Sequence, residues 1–141
     1  MKQFFSLLRK WLKDDGLVLI QEVGINSTLV PNTDMFLQKT LFMNAYFPSA
    51  TDITEATKGL FMIEDWHNFG YDIFRTFESL SGTLAREAGG LFEKGKLNTE
   101  TYRLLQFFYQ FAAGVAKARR IHDWQIILSK HGAVGGYVSE R

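Results

Sequence analysis

Phe4, Leu7, Leu8, Trp11 and Leu12 recur at helical spacing, with Lys2, Arg9, Lys10 and Lys13 on the other side. The pattern predicts a short amphipathic helix that Gly16 stops. Leu17 to Val23 is then a continuous run rich in branched residues. It is too short for a buried helix and predicts a strand covered on both faces, the parallel-sheet type. Asn32 or Thr33 caps a predicted helix through Met43, which Phe47-Pro48-Ser49 breaks. Thr51 to Lys58 predicts two helical turns ended by Gly59, and Leu60 to Trp66 a second strand. Ile73, Phe77, Leu80 and Leu84 give helical periodicity from Gly70 to Ala88, ended by Gly89-Gly90. Thr99 caps what reads as the longest helix, with Leu104, Leu105, Phe108, Phe111, Ala112 and Val115 on its buried face. Lys117, Arg119 and Arg120 suit its C-terminal dipole. Trp124 to Ser129 predicts a third strand, and Gly132 to Arg141 a polar, glycine-rich tail.

Strands alternating with helices argue for an α/β layer structure. Three strands make a small, partly parallel sheet, as though half of a larger one were missing. At 141 residues the chain reads as a single domain, 1–141. A hydrophobic fraction of 46% with two prolines excludes a disordered chain. A net charge of +1 argues against nucleic acid as the main partner. The absence of cysteine excludes disulfides, thiolate zinc sites and cysteine nucleophiles. No run reaches the roughly 18 apolar residues of a membrane span, and the N-terminus is no secretory signal. The default expectation is a cytoplasmic protein.

Candidate chemistry is sparse. Gly90 to Lys96 falls short of a phosphate-binding loop, because Leu97 stands where Ser or Thr would hold magnesium, and the segment follows a helix. Gly132-Ala133-Val134-Gly135-Gly136 follows a strand, but no helix comes after it, so no dinucleotide site is implied. Glu64, Asp65 and His67 form the densest ionisable cluster, yet alternate strand residues point to opposite faces. A structural role at a strand-to-helix turn outweighs metal or acid–base work there. His122-Asp123 reads as a helix-to-strand turn. The many phenylalanines, including Phe61, Phe74, Phe77, Phe107, Phe108 and Phe111, read mostly as core, with a lipid cavity as the alternative.

One string is more specific. Glu64-Asp65-Trp66-His67-Asn68-Phe69-Gly70 resembles the cyclopropane-fatty-acyl-phospholipid synthases, which carry Glu-Asp-Trp-His-Asn-Phe-Gly there. Ala118-Arg119, Ile121 and Trp124-Gln125 match the family's Ala-Arg-x-Ile-x-x-Trp-Gln. Leu12-Lys13-x-x-Gly16-Leu17 is similar to the turn before the family's fifth strand, and Phe47-Pro48 to its Phe-Pro. The resemblance runs in order along nearly the whole chain.

It implies the C-terminal half of a Rossmann-like class I methyltransferase sheet, about three strands with a helical insert, and an absent N-terminal cofactor-binding half. The family transfers a methyl group from S-adenosylmethionine to the double bond of a phospholipid acyl chain. The ring then closes with loss of a proton. The resemblance implies no cofactor for the isolated chain, which is expected to be inactive alone. A non-catalytic remnant that binds acyl chains or a partner is the alternative.

The family also binds bicarbonate as base. By resemblance, its histidine ligand falls on Gln21 and its isoleucine backbone ligand on Val23. Gln21 can hydrogen-bond an oxyanion but holds no charge. The tyrosine ligand falls on Ile73, with Tyr71 two residues earlier, a rotation of about 200° on a helix. Expected partners are unsaturated phospholipid acyl chains or the missing N-terminal half. Peripheral contact with the inner membrane surface goes with them. An uncovered edge at Leu17–Val23 predicts a homodimer through this strand or the first helix.

Overall fold

The computed structural model describes residues 1–26, 39–40 and 46–139. Its elements are α1 (Lys2–Trp11), β1 (Leu17–Ile25), α2 (Ala50–Thr57), β2 (Met62–Asn68), α3 (Gly70–Glu93), α4 (Thr99–Lys117) and β3 (Ile121–Ser129). The helix expected from Asn32 or Thr33 to Met43 lies outside the described residues, apart from two helical positions at 39 and 40. The described residues fall into two compact units. One combines 1–26, 46–69 and 122–139; the other combines 39–40 and 70–121.

In the first unit the sheet order is β1-β3-β2. β3 runs antiparallel to β2, with Met62 opposite Ser129 and Asn68 opposite Trp124. The sheet is antiparallel rather than partly parallel. β1 and β2 therefore never pair, because β3 is inserted between them.

One face of this sheet is sealed by helices. Val18, Ile20, Trp66, Trp124, Ile126 and Leu128 pack against Phe5 and Leu8 of α1 and Ile53 and Ala56 of α2. Full burial of a side chain the size of Ile126 is worth about 1.5–3 kcal/mol. α1 is held in place by charge as well as by packing. The Arg9 guanidinium donates to the carbonyl of Leu60 and, at 3.1 Å, to that of Lys130. α2 starts with a capping box in which Ser49 Oγ accepts from Asp52 N and Asp52 Oδ2 accepts from Ser49 N.

β1 corrects the sequence reading. It is an edge strand in the described sheet, and its residues alternate. Leu17 and Leu19 are 45% and 57% exposed, while Val18 and Ile20 face the core. Leu17 to Ile20 are apolar without a break, but among the described residues only one face of the strand is covered.

The second unit is a helical hairpin of α3 and α4. Phe74, Ala113 and Ala116 form its buried cluster, joined by Ile73, Phe77 and Ile121. Gly89 and Gly90 do not end α3, which continues to Glu93 and, at 24 residues, is longer than the 19-residue α4. Asn98, not Thr99, caps α4 by accepting from Thr101 N. Small residues, Ala112, Ala113 and Ala116, make the closest part of its buried face. Phe107 and Phe111, read as core, are exposed. α4 ends with Arg120 N donating to Val115 O and Arg119 at φ 58°.

Candidate functional site

In open α/β sheets, ligands bind outside the carboxyl ends of the strands. The carboxyl end of β1 meets the start of β3 and of α2. A recess of about 320 Å³ opens there, lined by Ile25, Asn26, Ser49, Ala50, Thr51, His122 and Trp124. Ile25 N donates to Pro48 O at 3.0 Å, and Ile25 bridges Ser49, which draws β1 and α2 together.

Trp124 forms the floor. It is buried, meets Trp66 edge-on at 5.2 Å, and carries the His122 ring stacked at 5.7 Å. His122 Nδ1 in turn lies 3.0 Å from Asn68 Nδ2. His122 and Asp123 are residues of β3, not of a turn, because β3 begins at Ile121. The amide of Phe69 donates to Asp123 O at 2.7 Å, which extends the β2–β3 contact to the end of the strand.

Gln21 and Val23 lie two residues apart on β1 and therefore share a face. Both already have partners. Gln21 Nε2 donates to Asp123 Oδ2 at 3.0 Å. The Val23 amide donates to the carboxylate of the half-buried Glu22. Burial raises the Glu22 carboxyl above its ordinary value; the Val23 bond opposes this and the charge of Asp123 adds to it. Gln21, Glu22 and Asp123 thus lie near one another where β1 meets β3, and none of them lines the recess. No local sequence signal marks Glu22 or Asp123, since their roles depend on β1 lying next to β3.

Tyr71 and Ile73 lie in the other unit, in the first turn of α3. Ile73 packs on the Phe74–Ala113–Ala116 cluster. Tyr71 is 48% exposed, its ring 5.5 Å from Phe74, with the Arg75 guanidinium 5.3 Å from the ring centre. The two-residue shift therefore separates a core-facing side chain from an outward-facing one.

Glu64, Asp65 and His67 do not converge. A register shift between Ile63 and Asp65 interrupts the β2–β3 ladder at Glu64. Ser129 Oγ and, at 2.8 Å, Ala133 N donate to Glu64 Oε1, and Gly132 N donates to Ser129 Oγ. His67 instead lies beside the Phe69 ring. Among the described residues no three His, Asp or Glu side chains could hold a metal ion. Gly90 to Lys96 is the end of α3 and a turn closed by Lys96 N donating to Leu91 O. Among the described residues, no helix is long and apolar enough to cross a membrane.

No model of a protein family matches the chain. The cyclopropane-fatty-acyl-phospholipid synthase of Escherichia coli K12 is 29% identical over 131 residues, 90% of this chain but 32% of that protein. The synthase of that name from Citrobacter freundii is 36% identical over 84 residues, 60% of this chain and 91% of that sequence. This chain belongs to the cyclopropane-fatty-acyl-phospholipid synthase family. It spans about a third of the length of the Escherichia coli relative.

Solved structures agree on the fold. The cyclopropane synthase MmaA2 from Mycobacterium tuberculosis matches with a TM-score of 0.78 at 18% identity, over 92% of this chain and 49% of its own. The mycolic acid cyclopropane synthase CmaA1, complexed with SAH and CTAB, gives 0.79 over the same shares. A Haemonchus contortus phospholethanolamine N-methyltransferase, in complex with phosphomonomethylethanolamine and S-adenosylhomocysteine, gives 0.73 over 92% of this chain and 30% of its own. The cyclopropane synthase-family chain described here therefore has the architecture of part of a class I methyltransferase sheet.

Proposed function

We propose that the chain forms the acyl-side portion of an S-adenosylmethionine-dependent lipid methyltransferase acting on unsaturated phospholipid acyl chains. The observation that carries this reading is the family match in sequence, joined to a fold that covers about half of each cyclopropane synthase neighbour. S-adenosylhomocysteine in solved neighbours supports the cofactor of the whole enzyme. The residues present do not fit that cofactor. Among the described residues no strand leads through a glycine-rich loop into a helix, and Gly132–Gly136 runs into the tail. The 141 residues alone therefore neither hold S-adenosylmethionine tightly nor methylate lipid. Calorimetry tests this directly: low-micromolar binding of S-adenosylmethionine to the 141-residue chain would overturn it. Mixing with a cofactor-binding half of the family is expected to restore methylation of vesicles containing unsaturated phospholipid. In the cell the chain is expected in the cytoplasm, in peripheral contact with the inner membrane surface.

A second reading, a non-catalytic remnant that binds acyl chains or a partner, is favoured by one observation. Phe4, Leu7 and Trp11 are exposed on α1, Trp11 by 72%, and Leu17 and Leu19 on β1. Apolar surface of this kind marks association, including a homodimer through β1 or α1. Thermal-shift measurements separate the readings. Stabilisation by fatty acid or phospholipid, without activity in any mixture, favours the remnant. A monomer by light scattering at high concentration counts against the homodimer.

A further inference from the structure

α1 carries apolar residues on two sides. Phe5 is buried, and Leu8 packs with it on the core of the first unit. Phe4, Leu7 and Trp11 point elsewhere and are exposed among the described residues. At about 100° per residue these three fall within an arc of about 60°, one stripe along the helix. Continuing round from Leu7, away from the core, come Gln3 and Lys10, then Ser6 and Lys2, all exposed.

The charge beside the stripe is of one sign. α1 contains no acidic residue. Arg9 is taken by two carbonyls, but neither Lys2 nor Lys10 is in an ion pair among the described residues. Asp14 and Asp15 follow the helix, and Asp14 is bridged to Lys130 at 3.1 Å. Phe, Leu and Trp beside unpaired lysines match a lipid–water boundary, where acyl chains and anionic headgroups lie within a few ångströms of each other. A second copy matches less well, because pairing α1 with itself brings lysines against lysines.

We propose that this stripe docks on an anionic lipid surface, with Phe4, Leu7 and Trp11 in the headgroup boundary and Lys2 and Lys10 on the phosphates. This assigns the membrane contact expected above to one helix, and the test separates the two.

The 141-residue chain is titrated with phosphatidylcholine vesicles, with and without phosphatidylglycerol, and followed by co-sedimentation and tryptophan emission. Trp66 and Trp124 belong to the core, so a blue shift on binding reports Trp11. Binding is expected to require phosphatidylglycerol and to weaken as salt rises. Lys2→Gln and Lys10→Gln are each expected to weaken it about fivefold, as roughly 1 kcal/mol per cation gives. Trp11→Ala is expected to weaken it about tenfold. Circular dichroism checks the fold, and should Trp11→Ala not fold, the lysine variants carry the test. Binding that these variants leave unchanged overturns the assignment to α1 and leaves the membrane contact standing. Absence of binding to either vesicle overturns both. Equal binding to both vesicles overturns the anionic surface as the occupant. A blue shift that grows with protein concentration alone, without co-sedimentation, makes a second copy the occupant and overturns the proposal.

Discussion

Gly24 lies directly against the indole of Trp124: a methyl group built on its Cα would sit 2.0 Å from Cζ3 of that ring. Both are buried, and Trp124 also carries the contacts to Trp66 and His122. Neither side can yield cheaply. Gly24→Ala is expected to destabilise the fold by about 1–3 kcal/mol, as overpacking does. Urea denaturation reads the loss, and an unchanged midpoint would show that Trp124 moves freely.

Gly89 and Gly90 present the opposite case. Each lies inside α3, and a Cβ there would meet nothing within 4 Å. Gly89→Ala and Gly90→Ala are each expected to stabilise by about 0.5–1 kcal/mol, because alanine loses less backbone entropy on entering a helix. The measurement is the same denaturation midpoint. A loss of stability would mean that the helix ends where the glycine pair suggests.

The capping box at α2 has a pH signature. The hydroxyl and backbone amide of Ser49, with Tyr46 after them, hold the Asp52 carboxyl below its ordinary 3.8. A lowered value in the fold contributes stability above the unfolded value and loses it as pH falls through the folded one. Asp52→Asn is thus expected to cost stability at pH 7 and nothing near pH 2. Ser49→Ala is expected to cost about 1 kcal/mol at neutral pH. Thermal melts across pH check both.

Glu22 runs the other way. Burial, its main cause, raises its carboxyl above the ordinary 4.5 in the fold. The folded state then holds the proton more tightly, which favours folding at low pH. This advantage is lost as pH rises from the unfolded value through the folded one. Glu22→Gln is expected to raise Tm relative to wild type at pH 7 to 8 and to match it at pH 4. An equal difference at both pH values would assign the effect to packing.

Much of this was legible in the residues, for reasons that also explain the misses. The three strands and the pattern of α1 follow from local periodicity, and the Glu64–Gly70 string proves to be strand β2 and its exit into α3. Leu17 and Leu19 misled because an apolar residue looks the same whether it faces a core or an open sheet face. Gly89-Gly90 misled because packing against α4 outweighs the weak helix propensity of glycine. The Gln21–Asp123 bond spans 102 residues. It was invisible until β3 was seen to lie beside β1, and with it the character of the strand end.

Arg9 gives the first helix a fate shared with the last strand. Its guanidinium closes on carbonyls at residues 60 and 130, so three stretches of backbone remote in sequence end on one cation. Proteolytic clipping within the opening dozen residues would therefore act far beyond the cut. It would strip both carbonyls of their donor and loosen the chain at its far end.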